Sequence, residues 1–457
     1  MYISNEDTIA AIATPPGYGG IGVVRVSGPK ARELLCKLWR GAVPADRFEP
    51  RKFYLGEIAA CGGGMIDRVM AVLMPAPNTY TGQDVIELSC HGSPIVLEKI
   101  LSECISAGAR GAGPGEFTRR AFLAGKMDLA QAEGVADIIH ATSEVAAKHA
   151  AEQLAGRLSN TVTEIGDEIA NLRAHVEASI DFPEEDIDIL QKEGVAERLI
   201  AIAERVQKLS STFSEGRLIR EGVRVAIVGR PNVGKSSILN RLAGHERAIV
   251  HHEPGTTRDM IEVSVNFGGV AFHLRDTAGL CDSKSDVEGI GVLKTRDEIE
   301  GADLVVAVFD GSEPATEDDF RVAREADSKR YIAVVNKVDL KRELNTSFFK
   351  DKQLRSINIS AKNDVGFDSL KKLIYSATLK ETLHEEGCVI TSSRHREALD
   401  GALKGILAAR SIIGLKEPME CVAEHLRIAQ EKIGTITGAV TTEDLLDRIF
   451  SNFCIGK

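Results

Sequence analysis

The sequence predicts a multidomain α/β and α+β chain, in which a doubly wound α/β domain is inserted into a discontinuous helical domain behind an N-terminal α+β domain. Three observations lead there. The 457 residues are too many for one ordinary core and correspond to roughly two to four domains. Residues 219 to about 378 alternate β-rich runs with helix-periodic ones, as a doubly wound sheet requires. On either side, from about Arg119 to Gly216 and from Leu379 onward, the chain is Ala- and Glu-rich and helical in period. The expected divisions are 1–119 for the N-terminal domain, 120–218 and 379–457 for the two helical parts, and 219–378 for the insertion.

Composition narrows the function classes. Hydrophobic residues at 43% and charged residues at 27% describe a soluble globular protein. A formal net charge of -11 argues against a generally basic nucleic-acid binder, so contact with RNA needs a local patch or a partner subunit. The eight cysteines form no Cys-x-x-Cys pair and have no His at zinc-finger spacing, which predicts reduced thiols in a cytoplasmic protein. The start, MYISNEDTIAAIAT, lacks a cationic n-region and an apolar core. No apolar run reaches the roughly 18 residues of a membrane span, so no membrane insertion is expected.

Taken in order, Thr8 to Ala13, Ile21 to Val26, Met70 to Met74 and Val85 to Ser89 read as short strands between Gly/Pro clusters. Lys30 to Trp39 and Ile95 to Ala107 carry helical spacing between them. The helical stretch after Arg119 is interrupted near Asp181-Phe182-Pro183-Glu184-Glu185-Asp186, where Pro183 should break or start a helix. In the insertion, strands are expected at Val223 to Val228, Ile261 to Phe267, Val270 to Arg275, Leu304 to Phe309, Tyr331 to Asn336 and Ser356 to Ile359. Helices are expected at Arg394 to Ser411, Met419 to Gln430 and Thr442 to Phe450.

The chemistry concentrates in the insertion. Gly229-Arg230-Pro231-Asn232-Val233-Gly234-Lys235-Ser236 follows a strand and opens a helix, which is the context a phosphate-binding loop needs. Its glycines let backbone N–H groups and the helix N-terminus face a polyphosphate. Lys235 neutralises the outer phosphates, and the Ser236 hydroxyl suits magnesium. Companion motifs follow in the order a GTPase requires. Thr256-Thr257 after Gly255 can reach magnesium and the γ-phosphate, and Asp276-Thr277-Ala278-Gly279 places a carboxylate near the metal and an N–H near that phosphate. Asn336-Lys337-Val338-Asp339 selects the base, because Asp339 accepts two hydrogen bonds from guanine that adenine does not supply. Charge-assisted bonds of this kind contribute about 1.5–3 kcal/mol each. Ser360-Ala361-Lys362 can close over the guanine O6. These elements predict a Ras-like GTP-binding domain whose contacts run through Asn232, Val233, Gly234, Lys235, Ser236 and Ser237 as well as the later motifs.

One departure from Ras-like enzymes is informative. Where they carry a glutamine that positions the attacking water, this chain has Leu280, which cannot orient water. Glu288, Asp282, Asp286, Arg258 and Arg275 are the candidate replacements. Asn232, inside the phosphate loop, is a candidate ligand for a monovalent cation that could act in place of an arginine finger.

Further motifs carry a family resemblance along essentially the whole length. They are Ile12-Ala13-Thr14-Pro15-Pro16-Gly17 with Gly19-Gly20-Ile21-Gly22, Tyr80-Thr81-Gly82 to Cys90-His91-Gly92, and Pro114-Gly115-Glu116-Phe117-Thr118-Arg119-Arg120-Ala121-Phe122. Gly125 to Glu133, Ile180 to Glu185 and the terminal Phe453-Cys454-Ile455-Gly456-Lys457 complete the set. In these the chain resembles the MnmE (TrmE) family of tRNA-modification GTPases.

That resemblance implies an N-terminal tetrahydrofolate-binding domain that forms a homodimer, a central helical domain and an inserted GTPase domain. It also implies a flavin-dependent MnmG (GidA) family partner, bringing FAD and NADH, in a heterotetramer or larger complex. Together the two would place an aminomethyl or carboxymethylaminomethyl group on carbon 5 of the wobble uridine of certain tRNAs. The one-carbon unit would come from a 5-formyl or 5,10-methylene folate derivative. Potassium would bind near Asn232, with loop ligands at His251 and Glu253 beside Thr256, while Ser236 and Thr257 would hold magnesium. By motif position Glu288 is the glutamate acting on water. Folate contacts carry over to Arg25, Glu87, Lys126 and Lys457, where a carboxylate suits the paired N–H groups of a pterin and basic groups suit its glutamate tail. Cys454, in a tail that reaches the folate site in this family, is a candidate for a catalytic thiol.

The chain departs from the family at His251-His252-Glu253-Pro254, where Thr-Asp-Ile is usual, and at Gln83, where glutamate is typical. Backbone carbonyls at 251 and 253 remain able to serve as ligands. A competing reading is a GTP-controlled switch in ribosome assembly or translation, which would need neither a folate site nor a thiol-bearing tail. A folate-binding sensor with degenerate GTPase activity is disfavoured by the intact Lys235, Ser236, Asp276 and Asp339.

Overall fold

Short β-branched runs near the N-terminus assemble into one sheet because each has an apolar face to bury. The structure, a computed structural model, describes residues 7–60, 62–181, 192–244, 262–276, 298–327, 329–345, 355–379, 387–415 and 418–457. The chain divides into two compact units, one comprising 1–136, 152–203 and 401–457, the other 137–151 and 204–400. The second unit is thus wider than the span 219–378 drawn from the sequence for the nucleotide-binding fold alone.

The first unit begins with β1 (Ile9–Ile12), β2 (Gly19–Ser27), α1 (Ala31–Leu38), β3 (Trp39–Arg40), β4 (Phe53–Ala59), β5 (Met65–Met74), β6 (Val85–Gly92), α2 (Pro94–Ser106), β7 (Arg110–Gly111) and α3 (Glu116–Leu123). Its seven-stranded sheet has the order β3-β4-β5-β6-β2-β1-β7, antiparallel except where β1 meets β7. One face packs Val24, Val26, Ile86 and Leu88 against Leu34 and Leu38 of α1 and Leu97 and Ile100 of α2. Side chains alternate across a strand, so the opposite face receives Arg25, which lies directly across from Glu87. β3, β4 and β7 were not anticipated, and β5 starts at Met65 rather than Met70. On β4, Phe53 and Leu55 are more than half exposed although apolar, which erases the polar–apolar alternation that identifies a strand.

A buried ionic cluster anchors α3. Glu116, 1% exposed, accepts from Arg110 Nη2 at 2.6 Å, from Arg120 Nη2 at 2.9 Å and from the Gly113 N–H at 2.9 Å. Burial alone would raise the Glu116 carboxyl, but Arg110, the Gly113 N–H and Arg120 hold it below the usual carboxylate range.

The chain then turns helical through α4 (Leu129–His140), α5 (Glu144–Leu154), α6 (Arg157–Asp181), α7 (Lys192–Ser211) and α8 (Phe213–Glu221). The expected interruption after Asp181 lies outside the described residues.

The second sheet takes β8 (Val223–Val228), β9 (Glu262–Phe267), β10 (Val270–Asp276), β11 (Leu304–Asp310), β12 (Tyr331–Asn336) and β13 (Arg355–Asn358) in the order β13-β12-β11-β8-β10-β9. All pairs are parallel except β9 with β10. Among the described residues, the helices packed on it include α9 (Lys235–Gly244), α10 (Glu317–Ala326) and α11 (Phe367–Thr378). Ile238, Leu239 and Leu242 of α9 and Leu370 and Ile374 of α11 cover one face. Ala326 of α10 joins Ala226, Val228, Val305 and Phe309 on the other. Central strands are apolar on both faces for this reason: β11 and β12 are buried at every position.

The C-terminal helices are α12 (Ser393–Leu415), α13 (Met419–Thr437) and α14 (Glu443–Phe450). In the first unit α13 packs along α6, and α14 buries Leu446 and Phe450 against Leu129, Ala132 and Val135 of α4. Among the described residues no helix is long and apolar enough to cross a membrane.

Candidate functional sites

The second unit gathers the nucleotide motifs at the carboxyl ends of β8 and β12, where open α/β sheets bind ligands. After β8 the loop 229–234 turns into α9, whose N-terminus begins at Lys235. Asn232 adopts φ 63°, a left-handed conformation held against its steric cost by the surrounding loop. Lys235, 5% exposed, donates from Nζ to the carbonyls of Gly229 at 2.7 Å and Arg230 at 2.9 Å. Its ammonium is thereby held over the loop that would wrap a phosphate. Ser236 and Ser237 follow in the first turn of α9, both exposed.

The base motif docks on the phosphate loop through Asn336. This buried residue, 2% exposed, donates from Nδ2 to the Val233 carbonyl at 2.8 Å and accepts at Oδ1 from the Ala361 N–H at 3.0 Å. Three loops are therefore joined by one amide. Gly234 must be glycine here, since it sits at φ 99° and a Cβ would stand 2.3 Å from Asn336 Nδ2. Gly234→Ala is accordingly expected to weaken GDP binding by at least about tenfold. Titration with a fluorescent nucleotide analogue checks this, and unchanged affinity contradicts the docking argument.

Asp339 is exposed and accepts from the Ser360 hydroxyl at 2.6 Å. That hydroxyl holds the Asp339 carboxyl below its ordinary range, which suits it to accept hydrogen bonds. Lys362 lies next to Ala361 and is exposed. The structure thus brings together Asn232, Val233, Gly234, Lys235, Asn336, Lys337, Asp339, Ser360, Ala361 and Lys362.

Two supporting residues had no motif to announce them. Asp310, at the end of β11, holds Lys337 Nζ at 2.6 Å and also accepts from the Ser312 N–H and hydroxyl. Arg241 of α9 donates to the carbonyls of Ala361 at 3.1 Å and Lys362 at 3.0 Å, fixing the loop expected over the base. Arg275, a candidate near the phosphates, is engaged with Glu298 at 3.6 Å. The backbone of Asp276 ends β10 in register with Ile227. Thr256, Thr257, His251, Glu253, Thr277, Ala278, Gly279 and Glu288 lie outside the described residues, as do Arg258, Asp282 and Asp286.

The first unit carries a second site on the outer face of its sheet. Arg25 donates from Nε to Glu87 Oε1 at 2.9 Å, with Nη2 2.8 Å from the same oxygen. Its guanidinium lies 6.0 Å from the centre of the Tyr80 ring and 5.8 Å from that of Phe117. The C-terminal tail closes over it. Arg25 Nη1 donates to the Gly456 carbonyl at 3.2 Å, the Phe117 N–H to Lys457 O at 3.1 Å, and the Gly115 N–H to Cys454 O at 3.4 Å. Burial and the neighbouring Arg25 push the Lys457 ammonium below its usual range, partly offset by Glu87.

Arg25, Glu87 and Lys457 are therefore brought together as expected positions. Glu87 keeps its second oxygen out of these bonds, so the carboxylate fits a ligand presenting paired N–H donors. Lys126 is exposed and passes Gly82, whose added Cβ would lie 3.4 Å from Lys126 Cε; it reaches the turn that carries Tyr80. Gln83 accepts there from Arg120 at 3.1 Å, tying that turn to the buried ionic cluster. Cys454 is exposed.

Comparison with known proteins places the chain in a family. Residues 8–126 match the family described as the GTP-binding protein TrmE N-terminus, and residues 129–454 match that of the MnmE helical domain. A tRNA modification GTPase MnmE of Natranaerobius thermophilus is 40% identical over 460 residues, covering 99% of this chain and 100% of the relative. Those of Alkaliphilus oremlandii and Nitrosomonas eutropha are 40% and 42% identical, each over 100% of both chains.

Proposed function

Since the chain belongs to the MnmE family of tRNA modification GTPases, we propose that it is the GTP-hydrolysing subunit of a complex that modifies carbon 5 of the wobble uridine of certain tRNAs. A flavin-dependent MnmG (GidA) family partner brings FAD and NADH, and the group added is aminomethyl or carboxymethylaminomethyl. The observation that supports this reading best is the combination, in one chain, of a guanine-nucleotide site and the Arg25–Glu87 site covered by the chain's own C-terminal tail. The reading includes a homodimer, a cytoplasmic location and the division into an N-terminal domain at 1–119, helical parts at 120–218 and 379–457 and a G domain at 219–378.

In the nucleotide site, Lys235 neutralises the outer phosphates, and Asp339 with the Ser360–Lys362 loop selects guanine. The Ser236 hydroxyl and Thr257 would hold magnesium, with Asp276 near the metal. Asn232, with the carbonyls of His251 and Glu253 beside Thr256, would hold potassium. Bound cations supply positive charge against that developing on the phosphates. Thr277, Ala278 and Gly279 present backbone to the γ-phosphate, and Glu288 orients water in place of the glutamine that Leu280 replaces.

On the folate side, a bound tetrahydrofolate derivative, 5-formyl or 5,10-methylene, supplies the one-carbon unit. Glu87 accepts from the pterin, Arg25 orients that carboxylate, and Lys126 and Lys457 meet the acidic remainder of the ligand. Cys454 stands at the tail as a candidate thiol for the transfer, and Cys454→Ser is expected to lower tRNA modification while leaving GTP turnover intact.

GTP turnover by the purified chain is expected to be faster in potassium than in sodium at matched ionic strength and saturating magnesium. Equal, slow turnover in both salts removes the potassium site from the proposal. Reconstitution with the flavin-dependent partner, tRNA and a reduced folate tests the whole reading; GTP hydrolysis with no change at the wobble uridine overturns it.

A further inference from the structure

Arg230 lies inside the phosphate loop, and its side chain reaches Glu313 and Asp319 at the start of α10. Nη2 donates to Glu313 Oε2 at 2.5 Å, and Nε stands 3.4 Å from Asp319 Oδ2. Asp319 is buried, 2% exposed, and caps α10: it accepts from the Thr316 N–H at 2.9 Å and the Thr316 hydroxyl at 2.8 Å, while its own N–H donates to Thr316 Oγ1. Asp319 Oδ1 and Arg230 Nε are buried and have no hydrogen-bond partner among the described residues. A buried carboxylate is costly unless a cation faces it, and Arg230 is the cation beside this one.

The main chain of the same residue does a second job. Arg230 O accepts from Lys235 Nζ at 2.9 Å. The carbonyl that holds the phosphate-binding ammonium therefore belongs to the residue whose guanidinium is clamped to the start of α10. At the other end of the short connection between β11 and α10, Asp310 holds Lys337 of the base motif at 2.6 Å. Residues 310–319 thus grip the nucleotide site twice, through Lys337 on the base side and through Arg230 on the phosphate side.

We propose that the connection 310–319 is a positioning element for nucleotide binding, in which Glu313 and Asp319 set the phosphate loop through Arg230. Both carboxylates reach the loop through the Arg230 guanidinium. Their effect passes through the loop backbone to Lys235, so it appears in affinity for GDP and GTP alike and much less in the rate of the bound complex.

The test uses the full chain, with fluorescent GDP and GTP analogues for affinity and saturating GTP for turnover. Arg230→Ala is expected to raise both dissociation constants by about tenfold, and Glu313→Gln by about threefold. For Glu313→Gln, which lies outside the loop, the turnover rate at saturation should stay within about twofold of the parent. Arg230→Lys should recover most of the affinity, because it keeps a cation beside Asp319. The double variant Arg230→Ala, Glu313→Gln should bind no worse than Arg230→Ala alone, the signature of residues acting through one contact. The proposal is overturned if Arg230→Ala binds nucleotide as the parent does, or if the two losses simply add. It is equally overturned if lysine fails to rescue and the affinity loss merely follows a fall in melting temperature, which would make the clamp a matter of stability only.

Discussion

Asp339→Asn is expected to raise the GTP dissociation constant at least about a hundredfold and to abolish preference for guanine, because two charge-assisted bonds are lost or turned repulsive. The structure explains why a single atom exchange should cost so much. Ser360 donates to Asp339 Oδ1, which holds the carboxylate ionised and places it beside the loop that Ala361 ties to Asn336. An asparagine presents an amide N–H₂ where the site needs an acceptor, so one of the guanine donors meets another donor. Competition between GTP and inosine triphosphate, which lacks the exocyclic amine, measures the effect. The parent chain should favour GTP strongly and the variant should bind both weakly and alike. An unchanged preference would falsify the assignment of Asp339 as the base selector.

Gly456→Val should unseat the C-terminal tail and abolish tRNA modification while leaving basal GTP turnover in place. Gly456 has φ 98°, and a Cβ there would lie 2.4 Å from the Ile12 carbonyl oxygen. Neither the backbone conformation nor the space admits a branched side chain. Displacing the tail takes away the Gly456 carbonyl that Arg25 Nη1 reaches and the Lys457 carbonyl on the Phe117 N–H. Binding of a reduced folate, followed by calorimetry, should fall by at least about tenfold. Ile455→Ala is the control: that side chain is 60% exposed, and its loss should change little. Full folate affinity in Gly456→Val would mean that the tail covers the site without helping to form it.

The strands of the nucleotide-binding fold are largely legible in the sequence. Val223 to Val228 and Tyr331 to Asn336 form strands as expected, because buried parallel strands leave short continuous apolar runs. The front sheet was harder to read. Phe53, Leu55 and Met70 are exposed apolar residues on its outer face, so β4 lost its alternation and went unpredicted. The fit of Arg25 to Glu87 was expected only from the family resemblance; the register between β2 and β6 is what sets the two side chains opposite each other.

By itself, the sequence determined the phosphate loop, the base motif and the family, because each is a contiguous run whose function depends on its own backbone and nearest neighbours. Tertiary structure alone decided that Asp310 grips Lys337, that Arg241 holds the Ala361 and Lys362 carbonyls, that Arg230 is clamped by Glu313 and Asp319, and that the last residues lie across Arg25. Arg230 and Glu313 are 83 positions apart, and Arg25 and Gly456 are 431 apart. A contact at such range has no local pattern; it exists only once strand order and register have carried both partners to one place.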